Sequence, residues 1–282
     1  TLMNTIVKDI TKVDNEDIIL QLPIADINNE IIICDNVELP KPYEPDCYYL
    51  NDSNLYNNIQ DNNLENIRIS AITPSMFDNV LHKNHIRPLT CKYPGCVTCD
   101  YEFACLCSHI KAMQECLKYN DEYFVILEDD ITIPFIIDYD NLIKASNKKF
   151  DILQLLILYD KTIENLNNIY NEKKILFMKW QYLLPSTGMY IISRNSAEKL
   201  VNTYVNDGKY DFTQFKGQIV ADVLLYESVN TICTLLPYCY PNLEMGSDIH
   251  PKHLVAHEKA INSIKKVINE NKNYPFIIKK LI

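Results

Sequence analysis

The chain has 282 residues, of which 47% are hydrophobic and 23% are charged, and this composition indicates a folded globular protein rather than a disordered one. The formal net charge of −10 disfavours nucleic acid as a partner. No segment approaches the run of about eighteen apolar residues that spans a membrane, and the first thirty residues lack a signal-peptide pattern, so we expect no membrane span and favour a cytoplasmic location.

The first 45 residues are predicted to be an N-terminal extension. Residues 18–22 and 31–34 are rich in isoleucine and leucine and flank a turn at residues 28–29, a pattern typical of a β-hairpin. Three prolines within residues 40–45 then predict an extended linker. We therefore place the start of the main domain at residue 46.

Two strand-like segments open the main domain. Residues 48–51 form the first and end in Leu50 and Asn51. Residues 67–72 form the second, with a turn that includes Ala71. We expect both strands to lie in a central sheet.

A buried helix and a buried strand follow. Asp100 is the predicted N-cap, and apolar side chains recur at helical spacing along one face of the helix at Phe103, Leu106, Ile110, Met113 and Leu117. His109 lies on a neighbouring face, and we interpret it as a buried residue with a satisfied hydrogen bond and no catalytic role. Residues 123–127 are continuously apolar, which predicts a strand buried on both faces of a mainly parallel sheet.

Three consecutive acids follow this strand: Glu128, Asp129 and Asp130. In an open α/β sheet, ligands bind at the carboxyl ends of the strands, where these acids would lie. Adjacent carboxylates repel one another unless a cation neutralises them, and a hard divalent cation prefers oxygen ligands. A solvated acidic turn is the alternative interpretation.

The second half of the chain alternates apolar and polar segments. Residues 151–158 and 187–193 are predicted strands, and Gly188 in the second would let a substrate approach the backbone. Residues 160–174 are polar, so we predict a surface excursion there. Asn195 begins a predicted helix with a capping-box pattern, and Asp222 falls in the first turns of another. From residue 257 the sequence predicts a basic amphipathic helix.

Ten cysteines are present, and Cys91, Cys96 and Cys99 lie close together. Their spacing lacks the paired arrangement of most structural zinc sites. Cys105 and Cys107 fall on the predicted buried helix. We expect mainly free thiols, while a structural zinc site or a disulfide or two in the loop before the helix stay open as alternatives.

Several of these segments together resemble glycosyltransferase family 25. The helix reads Ala104-Cys105-x-x-Ser108-His109, and the strand ends Leu127-Glu128-Asp129-Asp130; both match the family's A-C-x-x-S-H and L-E-D-D patterns. Further matches are a G-x-x-Y-hydrophobic-x-S segment from Gly188, an acidic residue at Asp222 and a closing S-D-I at residues 247–249. Leu50 and Asn51 echo the family's first Asn-Leu in reversed order, and residues 52–63 lack the arginine expected there.

This resemblance implies an α/β fold of the Rossmann-like GT-A type with a central, mainly parallel sheet. The transferase domain would span residues 46–256, followed by a basic C-terminal helix at 257–282. The implied reaction is the metal-dependent, inverting transfer of galactose or glucose from a UDP-sugar to a hydroxyl group. The acceptor would be a protein or a glycan, with collagen hydroxylysine and polysaccharide as the two candidates.

The resemblance also implies roles for individual residues. Asp130 would bind Mn²⁺ or Mg²⁺, together with Glu128 and with His250 or His253, and Asp248 is an alternative to the histidines. Glu128 could instead bind the ribose. Asp222 would be the general base. The remaining donor-binding positions would be Leu50, Asn51, Ala71, Asp129 and Gly188.

Two functions from other classes remain as alternatives. The altered first nucleotide loop favours a catalytically inactive transferase fold that acts as a binding module. Clustered acids also occur in metal-dependent phosphodiesterases. Three acids at one strand end are few ligands for two metal ions, so the second alternative ranks last.

Overall fold

The computed structural model describes residues 47–49, 66–83, 98–147, 149–182, 184–242 and 254–281. The predicted hairpin within residues 1–45 lies outside this part of the chain. The same holds for Leu50, Asn51, Asp248, His250 and His253. The predictions made for these residues stay predictions.

A mixed sheet of seven strands forms the centre of the described structure. The strands are β1 (Cys47–Tyr49), β2 (Asn66–Arg68), β3 (Tyr123–Leu127), β6 (Ile152–Gln154), β7 (Phe177–Lys179), β8 (Met189–Ser193) and β11 (Thr231–Thr234). Their spatial order is β2-β1-β3-β8-β6-β11-β7. Shorter two-stranded pairings involve β4 (Ile131–Thr132), β5 (Phe135–Ile137), β9 (Val205–Asn206), β10 (Lys209–Tyr210), β12 (Tyr240–Pro241) and β13 (Ile277–Lys280).

The α/β class is confirmed, and the sheet is mixed rather than clearly parallel. Strand β1 runs parallel to β2 and β3, and β6 runs parallel to β11. Strand β8 is antiparallel to both β3 and β6, and β7 is antiparallel to β11. A continuous apolar run indicates that both faces of a strand are buried, but the run does not reveal its direction.

Seven α-helices and one 3₁₀ turn (Pro74–Met76) accompany the strands in the described residues. The helices are α1 (Phe77–Val80), α2 (Thr98–Cys116), α3 (Tyr139–Ala145), α4 (Asp160–Lys173), α5 (Arg194–Tyr204), α6 (Ala221–Ser228) and α7 (Leu254–Glu270). The Ser193 side chain, rather than that of Asn195, caps α5 by accepting from the Ser196 N–H. Residues 160–173 form a helix with Ile163 and Leu166 buried, so the predicted surface excursion is wrong.

The central sheet separates two hydrophobic cores. Tyr123, Val125 and Leu127 point into one core, which α3 and α7 complete. Phe124 and Ile126 point into the other, which α2, α5 and α6 complete. The apolar face predicted for α2 is buried there, because Phe103, Leu106, Ile110 and Met113 are fully inaccessible to solvent.

The C-terminal residues belong to this architecture. Helix α7 packs against α4 and buries Ile261, Ile264 and Val267 in the first core. Strand β13 then pairs antiparallel with β5. In the part of the chain that the structure describes, no helix combines the length and apolar character needed to cross a membrane.

Candidate functional site

The acidic triplet lies where β3 ends, as the sequence predicts. The backbone N–H of Glu128 donates to the Gly188 carbonyl (2.9 Å), so the residue after β3 is hydrogen-bonded to the residue before β8. The Asp130 carbonyl accepts from the Asn242 N–H (2.5 Å). All three acids are half-buried.

Glu128 is held by two side chains from other elements. The Thr187 hydroxyl donates to Glu128 Oε1 (2.7 Å), and His109 Nε2 lies 3.3 Å from the same oxygen. The other ring nitrogen of His109, Nδ1, lies 3.1 Å from the Tyr190 hydroxyl. His109 is fully buried, whereas 29% of the Glu128 side chain is exposed. His109 does have hydrogen-bond partners, as the sequence predicts, and one of them is a carboxylate of the triplet.

The pKa values of Glu128 and Asp130 are shifted in opposite directions. Burial by itself would raise the pKa of Glu128, but the hydrogen bond and charge of His109, the Thr187 hydroxyl and the charge of His257 together lower it. Burial and the neighbouring charges of Glu128 and Asp129 raise the pKa of Asp130 to about 7. Asp130 therefore needs a compensating positive charge to be fully ionised at neutral pH.

The loop before β8, residues 185–188, contains a strained residue and is held in place by hydrogen bonds from surrounding side chains. Ser186 has a φ of 114°, which a residue with a Cβ rarely adopts. Its carbonyl accepts from Tyr226 Oη (2.8 Å) and from Gln154 Nε2 (2.9 Å), and its hydroxyl accepts from the Gly188 N–H (3.1 Å). Backbone strain of this kind persists only where the surroundings hold it in place, and it is concentrated at functional sites.

The space beside Gly188 is filled by side chains of the core. A Cβ on this residue would lie 2.8 Å from Ile131 Cδ1 and 2.9 Å from Leu156 Cδ2. The missing side chain therefore makes room for the protein's own core. The predicted approach of a substrate to Gly188 is not needed to explain the glycine, and its role in donor binding stays a prediction.

Asp222 contacts this loop at Ser186, next to Thr187, which donates to Glu128. It is half-buried in the first turn of α6, and its Oδ2 accepts from the Ser186 N–H (3.4 Å). Desolvation raises the pKa of Asp222, partly offset by the Ser186 N–H, and the charge of Glu128 adds to the increase. The loop therefore contacts two carboxylates. Thr187 donates to Glu128, whose pKa is lowered, and the Ser186 N–H donates to Asp222, whose pKa is raised.

The donors that could hold a metal ion converge in an unexpected place. Among the described residues, one group of three candidate ligands has all its donor atoms within 4.8 Å of one another, and it consists of Cys105, His109 and Glu128. Glu128, Asp129 and Asp130 do not form such a group. Cys105 and Cys107 carry free thiols. Burial and the charges of Glu128, Asp222 and Asp130 raise the pKa of Cys105.

Sequence reasoning missed His109 and His257 as neighbours of the triplet. The L-E-D-D and S-H patterns indicated both segments, but only the packing of α2 on the sheet brings His109 to Glu128. His257, in α7, acts electrostatically on Glu128 from a segment beyond the predicted domain end. Ala71 lies next to Ile72, whose N–H donates to Ser108 Oγ (2.8 Å), so its segment is tied to α2.

Comparison with solved structures found a weak similarity. The solved structure described as "Crystal Structure of A197 from STIV" has 14% sequence identity and a TM-score of 0.39, covering 70% of this chain and 83% of that chain. A similarity at this level supports no conclusion about fold or function. No curated protein matches the sequence significantly.

The model of glycosyltransferase family 25, described as an LPS biosynthesis protein family, matches residues 53–212. This match covers more than half of the chain, including α2, the acidic triplet and the loop before β8. The chain therefore belongs to glycosyltransferase family 25.

Proposed function

We propose that this glycosyltransferase transfers a hexose, galactose or glucose, from a UDP-sugar to a hydroxyl acceptor with inversion at the anomeric carbon. We also propose that it does so with a GT-A type of organisation. The observation that carries the proposal is the pair of carboxylates, Glu128 and Asp222, that accept hydrogen bonds from adjacent residues of the loop before β8. The triplet at the end of β3 is suited to a cation and a diphosphate, and Asp222 is suited to proton transfer.

The donor set of the triplet fits a hard divalent cation. Carboxylate oxygens are the ligands that Mn²⁺ and Mg²⁺ prefer, and Asp130 is a half-buried acid that ionises fully only with added positive charge. In the proposal, Asp130 and Glu128 hold the ion with His250 or His253. The bound ion would neutralise charge that builds up on the departing diphosphate.

Asp222 supplies the base in this proposal. A hydroxyl group is a weak nucleophile at neutral pH, so a carboxylate within hydrogen-bond reach must accept its proton. Because desolvation raises its pKa, Asp222 is a stronger base than an ordinary aspartate. The Ser186 N–H accounts for one lone pair of Oδ2, which leaves oxygen lone pairs for the acceptor hydroxyl.

The acceptor in this proposal is either hydroxylysine of a collagen-like protein or a polysaccharide. Both present a hydroxyl group that can act as the nucleophile. Asp129, Gly188, Ala71, Leu50 and Asn51 are proposed to contact the donor nucleotide.

The test is to incubate the full chain with Mn²⁺ and UDP-galactose or UDP-glucose and to identify the nucleotide released. Transfer, or slow hydrolysis in the absence of an acceptor, releases UDP. We expect Asp130→Ala to abolish UDP release, whereas Glu172→Ala, at an exposed position of α4, should leave it unchanged.

The same assay separates the alternatives. Release of UMP instead of UDP would indicate a phosphodiesterase. UDP-sugar binding without any nucleotide release would indicate an inactive binding module. Full UDP release by Asp130→Ala in the presence of a chelator would contradict the metal-dependent mechanism.

A further inference from the structure

Helix α2 and strand β3 bring together three side chains with the chemistry of zinc ligands. Cys105 and His109 are four residues apart, so they lie on the same face of α2 on successive turns. Glu128 faces them from the end of β3, and the sulfur, nitrogen and oxygen donors all lie within 4.8 Å of one another. Thiolate, imidazole and carboxylate are the three groups that bind Zn²⁺ in proteins.

The spacing of two of these donors already matches zinc coordination. His109 Nε2 and Glu128 Oε1 are 3.3 Å apart. Nitrogen and oxygen ligands bind Zn²⁺ at about 2.0–2.2 Å, so two such ligands at a tetrahedral angle lie about 3.3 Å from each other. An ion bound to these two atoms would replace the proton between them, and Cys105 Sγ lies within 4.8 Å of both.

The outer contacts also match those of a metal site. A histidine that binds zinc through one ring nitrogen usually donates the other N–H to an oxygen, which fixes its tautomer. The Tyr190 hydroxyl lies 3.1 Å from His109 Nδ1 and can accept this hydrogen bond. Thr187 donates to the carboxylate of Glu128 (2.7 Å), so that ligand is oriented as well.

An ion can reach these donors and is attracted to them. The Glu128 side chain is 29% exposed and Cys105 is only partly buried, although His109 is fully buried. The carboxylates of Asp130 and Asp222 lie close enough to Cys105 to act on it electrostatically. Cys107, on the same helix, is fully buried and is not part of the group.

We propose that Cys105 Sγ, His109 Nε2 and the Glu128 carboxylate form a Zn²⁺ site with one open coordination position. Binding forms bonds from the ion to these three atoms and releases the thiol proton of Cys105 and any proton on His109 Nε2 to solvent. The soft thiolate and the imidazole select zinc over the Mn²⁺ or Mg²⁺ expected at carboxylates alone. This site goes beyond the proposed transferase reaction, although it shares the Glu128 carboxylate with the cation site of that proposal. Its test depends on Cys105, which the proposed reaction does not use.

The experiment uses Co²⁺ as a spectroscopic probe on the full chain, kept reduced with a phosphine. A cobalt ion bound by a thiolate gives a near-ultraviolet charge-transfer band, which carboxylate ligands do not give. We expect a band that Zn²⁺ abolishes on titration. Cys105→Ala, or the isosteric Cys105→Ser, should lose the absorbance that corresponds to one thiolate ligand per protein. Cys107→Ala should retain this absorbance. Because other cysteines contribute equally to both variants, the difference between them isolates Cys105.

A second variant tests the outer contact. Tyr190→Phe removes only the hydroxyl, so the thiolate–cobalt band should persist while the Zn²⁺ affinity falls by about ten- to a hundredfold, the usual effect of losing such a partner. The proposal is overturned if the parent protein shows no thiolate–cobalt band. It is also overturned if Cys105→Ala and Cys105→Ser both fold and keep the full band of the Cys107→Ala control.

Discussion

Asp222 is the residue on which the proposed proton transfer depends. We expect Asp222→Asn to lower the rate of sugar transfer by about a hundred- to ten-thousandfold, the usual contribution of a general base. Asparagine retains an oxygen that can accept from the Ser186 N–H, so the loop should stay in place. Binding of UDP-sugar and Mn²⁺, measured by calorimetry, should therefore remain near that of the parent. A variant that transfers sugar at nearly the parental rate would show that the base lies elsewhere.

Asp130 should make stability depend on pH in the absence of divalent cations. The pKa of its carboxyl is about 7 in the folded protein and about 3.9 in an unfolded chain. Between these values the folded state binds a proton that the unfolded state does not, so stability falls as pH rises from about 4 to 7. Above pH 7 both states are ionised, and the cost is complete.

We therefore expect Asp130→Asn to raise the free energy of unfolding at pH 8 by about 1–4 kcal/mol, relative to its effect at pH 4. Urea denaturation with a chelator present measures this difference. Asp207→Asn, at an exposed position, should change stability by less than about 0.5 kcal/mol at both pH values. An equal effect of Asp130→Asn at pH 4 and pH 8 would contradict the assignment.

Part of the site could be predicted at the residue level. The position of Glu128, Asp129 and Asp130 at the end of a buried strand could be predicted because they follow a continuous apolar run, while their role in binding stays a prediction. His109 could not be assigned, because a histidine on a helix face gives the same sequence signal whether its partner is a backbone carbonyl or a carboxylate. Its contact with Glu128 depends on how α2 is rotated against β3.

At the level of elements, the loop before β8 orients Glu128 through one hydroxyl. Thr187→Val keeps the shape of the side chain and removes the hydrogen bond to the carboxylate. We expect the free energy of unfolding to fall by about 1.5–3 kcal/mol, the range for a hydrogen bond to a charged group. We also expect UDP release to fall by about tenfold or more.

Thr231→Val, in β11, is the matched control for this substitution. Thr231 is equally well buried, but its hydroxyl has no hydrogen-bond partner among the described residues. Removing it should be neutral or stabilising, since no bond is lost and an unsatisfied polar group disappears. Equal losses in the two variants would mean that the Thr187 hydroxyl has no particular importance for Glu128.

Helices and strands could be predicted where their apolar residues form a clear pattern, and were missed where apolar residues are few. Strand β3 and helix α2 have uniform apolar patterns and both are found, although α2 begins at Thr98 and the predicted N-cap Asp100 lies in its first turn. Helix α4 was missed because its buried face consists of few apolar side chains among asparagines and charges. The direction of β8 was missed because Tyr190 and Ile192 would be buried in either orientation.

For the whole molecule, the C-terminal segment should unfold together with the sheet. Ile264, in α7, is fully buried in the same core as Val125 and Leu127 of β3. We expect Ile264→Ala to cost about 2–5 kcal/mol, the usual cost of such a cavity. Val255→Ala, at a position that is 64% exposed, should cost less than about 0.5 kcal/mol.

The transitions monitored by far-ultraviolet and near-ultraviolet circular dichroism should coincide in Ile264→Ala, because one core is disrupted as a unit. An earlier, separate transition of helical signal alone would indicate that residues 257–282 form an independent unit. The predicted boundary between a transferase domain at 46–256 and a C-terminal helix is thus open to a direct measurement.

The antiparallel pairing of β3 and β8 also determines which sequence changes the site tolerates. Leu127 pairs with Met189, so the residues that leave β3 meet the residues that enter β8. Inserting or deleting one residue within β8 would displace Thr187 along β3 by about 3.3 Å and turn alternate side chains to the opposite core. A displacement of that size would break the hydrogen bond between Thr187 and Glu128, whose donor and acceptor oxygens are 2.7 Å apart. The length of β8 should therefore be invariant in active homologues, whereas apolar residues such as Ile191 can be replaced by others of similar volume.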